Sequence, residues 1–198
     1  MVYNYLQEHK LLSPLQSGFR PLHSISTCLT HVTNTLLENI DKGQLTGLIF
    51  LDLREAFDTL DHSIMLDKLV LLGMNHSAVQ RFRSYLTTCT QSVCMNGLLS
   101  EPQPIPFGVP QGSVLGPLLF IIYLNDLPLA VHGCSVELYA DDTLIYFASK
   151  SVSEIQAQLT DGLTDVLSWL HANFLILNLE KTEIMLVGTH LRTAEAEI

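Results

Sequence analysis

Two adjacent acids, Asp141 and Asp142, sit inside the otherwise apolar, strand-like stretch LYADDTLIYF (138–147), and a third, Asp52, lies near the end of the apolar run LTGLIFLDL (45–53). If the strands carrying them are neighbours, three carboxylates converge. Acids in such proximity repel and raise one another's pKa, whereas divalent cations reverse that balance and favour the ionised forms. Mg²⁺ prefers carboxylates together with substrate phosphates. Two such ions about 3.5–4 Å apart can activate an attacking hydroxyl and stabilise the leaving oxygen of a phosphoryl transfer. Asp-Asp between strands is equally ordinary turn chemistry, so spacing alone leaves both readings open.

The elements that must position these acids can be read from periodicity and punctuation. Ile25, Cys28, Leu29, Val32, Leu36, Leu37 and Ile40 recur at helical spacing over 24–41, and Gly43 ends that helix. Residues 45–53 are nearly continuously apolar, which predicts a buried strand ending near Asp52. Asp61 can cap a helix over 62–72 that Gly73 stops, and a second helix over 76–86 turns Val79, Phe82 and Leu86 inward, with Arg81 and Arg83 on a solvated face. Asn96-Gly97 between strand-like runs predicts a two-residue hairpin. A Gly/Pro-rich loop then leads into a buried helix over 114–125, and two strands, 135–139 and 143–147, flank an acidic tip. Ser151 and Glu154 form a candidate capping box for a helix running to about 170, followed by short strands over 174–177 and 183–187. Helices alternating with hairpin-connected strands predict an α+β fold with an antiparallel sheet.

Composition narrows the class. The 198 residues are 47% apolar, enough for a real core. The most apolar run, 114–124, is about half the roughly 20 residues a membrane helix requires and contains Gly116 and Pro117. No apolar segment follows a basic start, so an intracellular, unsecreted protein is expected, with no membrane partner. Cys28, Cys89, Cys94 and Cys134 lack zinc-like spacing and read as reduced core thiols. The eight histidines show no ligand spacing. A net charge of −10 opposes a generic basic nucleic-acid surface.

Five ordered segments decide between the readings of the acidic pair. QSGFRPLHSIST (16–27), FLDLREAFDTLDH (50–62), GVPQGSVLGPLLFIIYLNDLP (108–128), YADDTLIY (139–146) and LNLEKTEIMLVG (177–188) closely resemble the motifs of reverse transcriptases from non-LTR, LINE-type retrotransposons, in the same order and with similar spacing. The resemblance implies an RNA-directed DNA polymerase with a right-hand palm, in which an antiparallel sheet is backed by helices. It divides the single domain, 1–198, into partial fingers over 1–44 and a palm with a fingers insertion over 45–190, with no thumb. It implies two Mg²⁺ ions, or Mn²⁺, held by Asp52, Asp141 and Asp142. RNA template, DNA primer and dNTPs would be the partners, and nucleus or cytoplasm the location.

Further roles come from the resemblance alone. Phe57 matches the aromatic that lies under the incoming sugar and excludes a 2′-hydroxyl. Gln111 and Gly112 match a nucleotide-approaching loop, where glycine permits unusual dihedrals. Arg20 matches a fingers arginine whose fork suits a triphosphate. Lys181 matches the lysine that protonates or neutralises departing pyrophosphate. Arg54-Glu55 depart from the small polar residue and lysine common in relatives, without touching Asp52. Missing thumb and flanking regions, which carry much of the basic duplex-holding surface in such enzymes, answer part of the charge objection. The alternatives are an inactive retroelement-derived fragment, surviving as a relic or binding module, and a viral RNA-dependent RNA polymerase. The latter is disfavoured by Ala140, where those enzymes usually carry glycine, and by Phe57.

Overall fold

The structure is a computed structural model that describes residues 2–110, 112–189 and 193. In chain order the elements are α1 (Val2–Glu8), α2 (Ile25–Asp41), β1 (Leu45–Leu51), α3 (His62–Leu71), α4 (His76–Thr87), β2 (Thr90–Gln91), β3 (Cys94–Met95), β4 (Leu98–Leu99), β5 (Gln103–Pro104), α5 (Gly116–Tyr123), α6 (Leu127–Ala130), β6 (Ser135–Tyr139), β7 (Asp142–Ser149), α7 (Val152–Ala172) and β8 (Glu183–Val187). They form two compact units: 1–11 with 55–124, and 12–54 with 125–198.

The first unit is mainly helical, with two small two-stranded sheets, β2-β5 and β3-β4. Asp61 caps α3 by accepting from the amides of Ser63 and Ile64, as its sequence position requires. Helix α5 is apolar on every side and correspondingly buried, with Leu119, Phe120, Ile121 and Tyr123 at 0% exposure. The Lys68 ammonium is also buried, and satisfies its charge by donating to the Tyr123 carbonyl at 2.7 Å and lying 5.0 Å from that ring's centre. Asn96 and Gly97, with φ of +53° and +81°, close the β3–β4 hairpin in the left-handed conformation their residue types favour.

The second unit is a four-stranded antiparallel sheet in the order β6-β7-β1-β8. One face carries Ile49, Leu51, Val136, Leu138 and Ile145, all at most 4% exposed, and is covered by α7. Gly47 allows that approach, because a Cβ there would stand 2.4 Å from Ile155 and 2.6 Å from Leu159. On the opposite face Leu48, Leu144 and Tyr146 pack against Val32 and Leu36 of α2 and Val187 of β8. The cover is partial: Ile25 and Leu29 of α2 are more than half exposed, so the predicted apolar stripe is only half buried.

Three sequence expectations need correction. The helix predicted over 114–125 breaks after Tyr123, and α6 starts separately at Leu127. Residues 174–177 form no strand: Phe174 takes φ +53°, and only Leu177 bridges, antiparallel to Leu53. Ser151 accepts from the Glu154 amide, but the Glu154 carboxylate accepts from the Ser149 hydroxyl, so the box is half formed. A complete capping box sits instead at the start of α2, where Ser24 and Thr27 satisfy each other's backbone amides.

Candidate active site

Antiparallel register builds the site. Leu51 pairs with Thr143, so the next step along both strands sets Asp52 beside Asp142, and directly opposed residues share a face. Phe50 pairs with Glu183, the first residue of β8, and the 3-10 turn Leu179–Lys181 just before that strand brings Lys181 to Asp52. The Lys181 ammonium indeed lies 3.4 Å from Asp52 Oδ2. Tyr139 pairs with Asp142 and completes the row. The tip of the β6–β7 hairpin is therefore Ala140-Asp141 alone, and Asp142 is already the first residue of β7, where the sequence had placed both acids in the turn.

Asp52 is held from a second side. Asn178 Nδ2 donates to Asp52 Oδ2 at 2.9 Å, and the Asn178 amide donates to the Asp52 carbonyl at 2.8 Å. Arg54 donates its amide to the Ile176 carbonyl, so segment 176–178 straps the end of β1. Asn178 carried no assigned role from sequence, although it stands one short turn before Lys181.

A cleft of about 700 Å³ opens on this face, lined by Asp52, Tyr139, Asp142, Glu180 and Lys181 at one end and by Cys28, Leu29 and Val32 of α2 at the other. Glu137, 7% exposed, lies on its floor and pairs with His31 at 3.1 Å. Burial raises the Glu137 carboxyl above the ordinary range, and His31 counteracts it. The Asp142 carboxyl is also raised, by partial desolvation first and then by the like charges of Asp141 and Asp52, with Lys181 opposing.

That direction fixes a stability effect. A carboxyl whose folded pKa is raised costs stability as pH rises from its unfolded value, about 3.9, through the folded one, and the full cost persists above both. Asp142→Asn is therefore expected to raise Tm in divalent-free buffer at pH 7 by about 2 °C, the scale of one partly screened charge in a chain this long. The gain should vanish near pH 3. Equal Tm values at pH 7 would show that the partly desolvated, like-charged setting of Asp142 costs the fold nothing.

The donor set suits a hard divalent cation in chemistry: three carboxylates, one of them raised by desolvation and then by the charges of the other two, with Lys181 set against them. As placed, no three His, Cys, Asp or Glu side chains among the described residues close around one ion position.

The remaining candidates separate by unit. Arg20 lies in the unit of the acids, but its Nη1 donates to the carbonyls of Ser13 (2.7 Å) and Gln16 (2.9 Å), so that nitrogen serves its own loop. Phe57 and Gly112 belong to the first unit. The Phe57 ring stacks on Phe120, centres 4.3 Å apart, and its carbonyl accepts from the Val109 amide, placing it beside the 108–112 loop. Gly112 has φ +76° with open space around its α-carbon, so backbone conformation, and no close neighbour, demands glycine there. Gln111 lies outside the described residues.

The family of reverse transcriptases (RNA-dependent DNA polymerases) matches residues 1–196. This chain belongs to that family. The reverse transcriptase domain is 31% identical over 185 residues to the probable RNA-directed DNA polymerase from transposon BS of Drosophila melanogaster, covering 89% of this chain and 20% of that protein. It is 32% identical over 179 residues to the RNA-directed DNA polymerase of the mobile element jockey of the same species, covering 87% and 19%. The chain thus spans about a fifth of the length of the curated relatives it matches. Among solved structures, telomerase from Candida albicans, in complex with a fragment of telomeric RNA, superposes with a TM-score of 0.68 at 16% identity, covering 92% of this chain and 33% of that one. Apo telomerase from Candida tropicalis, truncated from its C-terminal domain, gives 0.65 at 14%, covering 93% and 38%. The α+β palm expected from sequence is thereby borne out as a fold. Among the described residues no helix is long and apolar enough to cross a membrane.

Proposed function

We propose that this domain extends a DNA primer on an RNA template, adding dNTPs at the row formed by Asp142, Asp52 and Lys181. The observation that supports the reading is this row: Asp52 and Asp142 set side by side by β-register on one open sheet face, Lys181 paired to Asp52 from the turn before β8, and Asp141 at the adjoining hairpin tip. Divalent cations, Mg²⁺ or Mn²⁺, held by Asp52, Asp141 and Asp142 would supply activation of the primer 3′-hydroxyl and charge neutralisation at the triphosphate. Asn178 holds the Asp52 carboxylate in orientation. Lys181, with a side chain 68% exposed, is free to reach departing pyrophosphate and donate a proton or neutralise its charge. Phe57 bars a ribose 2′-hydroxyl, and the loop with Gln111 and Gly112 approaches the nucleotide. Arg20 has its Nη1 committed to its own loop and would meet the triphosphate through Nη2.

The test is primer extension on an RNA template, using the 198-residue chain and a protein of the relatives' length that contains it. Mg²⁺-dependent dNTP incorporation, abolished by EDTA, is expected from the longer protein, with little processive synthesis from the domain alone. Absence of incorporation from both would favour the second reading, a folded domain that does not polymerise, which the net charge of −10 supports.

A further inference from the structure

We propose that Gln16 is a positioning residue that fixes the Asp141-Asp142 hairpin from behind. For the task of those carboxylates the proposal rests on the polymerase reading; for the geometry it stands alone. Gln16 is 1% exposed, and its carboxamide treats the backbone of Ala140 as a strand partner would: the Ala140 amide donates to Oε1 at 3.0 Å and Nε2 donates to the Ala140 carbonyl at 3.2 Å. The Gly18 amide donates to the same Oε1 at 2.7 Å. Main-chain bonds from the Ser17 amide to the Leu138 carbonyl (2.8 Å) and from the Leu138 amide to the Leu15 carbonyl (2.9 Å) lay this segment along β6.

The turn has reason to need such support. Ala140 occupies the first position of a two-residue hairpin turn with φ +57°. Hairpins usually fill that position with glycine, asparagine or aspartate, because a Cβ disfavours the left-handed region. Ala140 is also buried, so its amide and carbonyl cannot turn to water and must be bonded within the protein. Gln16 supplies both partners. Gly18 makes the approach possible, since a Cβ there would stand 2.1 Å from the Ala140 nitrogen. The acids themselves receive none of these bonds. Gln16 acts on them through the residue that sets the turn, and Arg20 secures Gln16 in turn by donating to its carbonyl.

Gln16→Met keeps side-chain length and removes the carboxamide, and amide hydrogen exchange measured by NMR on the 198-residue chain reads the consequence. Exchange at Ala140, Asp141 and Asp142 is expected to quicken by at least about tenfold, the factor one lost buried hydrogen bond carries, with Ile49 and Ile145 unchanged. Mn²⁺ titration, followed by paramagnetic broadening at the same amides, should show binding weakened by about tenfold, the lower end for loss of a supporting contact. Adding Ala140→Gly, which adopts the turn unaided, should restore much of both. Exchange and Mn²⁺ affinity within twofold of wild type would overturn the proposal. If Gln16→Met unfolds, shown by equal quickening at Ile145, then Gly18→Ala decides: faster exchange at Ala140 supports the clamp, unchanged exchange overturns it. Wild type that fails to bind Mn²⁺ would sink the polymerase reading and leave the exchange arm to decide the clamp.

Discussion

Asp141→Asn is expected to lower RNA-templated primer extension by at least about a thousandfold in a protein of the relatives' length. Cation-borne stabilisation of a transferring phosphoryl group is worth several kcal/mol, and about 4 kcal/mol corresponds to that factor. The substitution suits the test because it removes charge and little else. Ala140, at φ +57°, carries the unusual backbone conformation of the tip, and the two bonds between the Gln16 carboxamide and the hairpin both go to the backbone of Ala140. Asparagine is at home in turns, and one fewer negative charge beside Asp142 relieves repulsion. Folding stability should therefore hold or rise as activity falls, a divergence that separates lost chemistry from lost structure. Extension within tenfold of wild type, at equal protein and Mg²⁺ concentration, would remove Asp141 from the mechanism.

Sequence made the acids visible because they interrupt apolar runs, and it made β1, α3, α4 and α7 visible because their periodicity and caps agree. The register between strands was less accessible. Predicting the hairpin with both acids in its turn errs by one residue, yet side chains alternate with period two, so that residue decides whether Asp142 shares a face with Asp52. The strap at 176–178 was missed for a related reason. It looked like a strand from composition, whereas Phe174 in the left-handed region turns the chain and leaves one bridge and two backbone bonds around Asp52. Arg20 and Gln16 mark a different limit. Both lie in one quoted motif, and charge drew attention to the arginine, but the buried amide makes the bonds that reach the hairpin. Nothing in a linear sequence distinguishes a buried glutamine satisfied by a distant backbone from a solvated one.

Phe57→Val is expected to raise ribonucleotide incorporation relative to deoxynucleotide by about a hundredfold, the range that steric discrimination in an apolar pocket commands. The structure adds a control to this experiment. Because the ring stacks on Phe120, removing it also costs packing, and valine at this half-buried position should lower Tm by a few degrees on the scale of about 1–2 kcal/mol. Phe57→Tyr keeps the ring and the stack, so it should retain discrimination with little change in Tm. The two effects are separable: a ring that only packs would give a lower Tm with nucleotide preference within twofold of wild type, and a ring that guards the sugar gives both. Relief of discrimination should appear as a lower KM for the ribonucleotide with its kcat less affected, because the 2′-hydroxyl is rejected on entry, before the chemical step. A change in preference confined to kcat would show instead that the ring acts on the alignment of the bound ribonucleotide and not on its entry, and only an unchanged preference would leave Phe57 as a packing partner of Phe120.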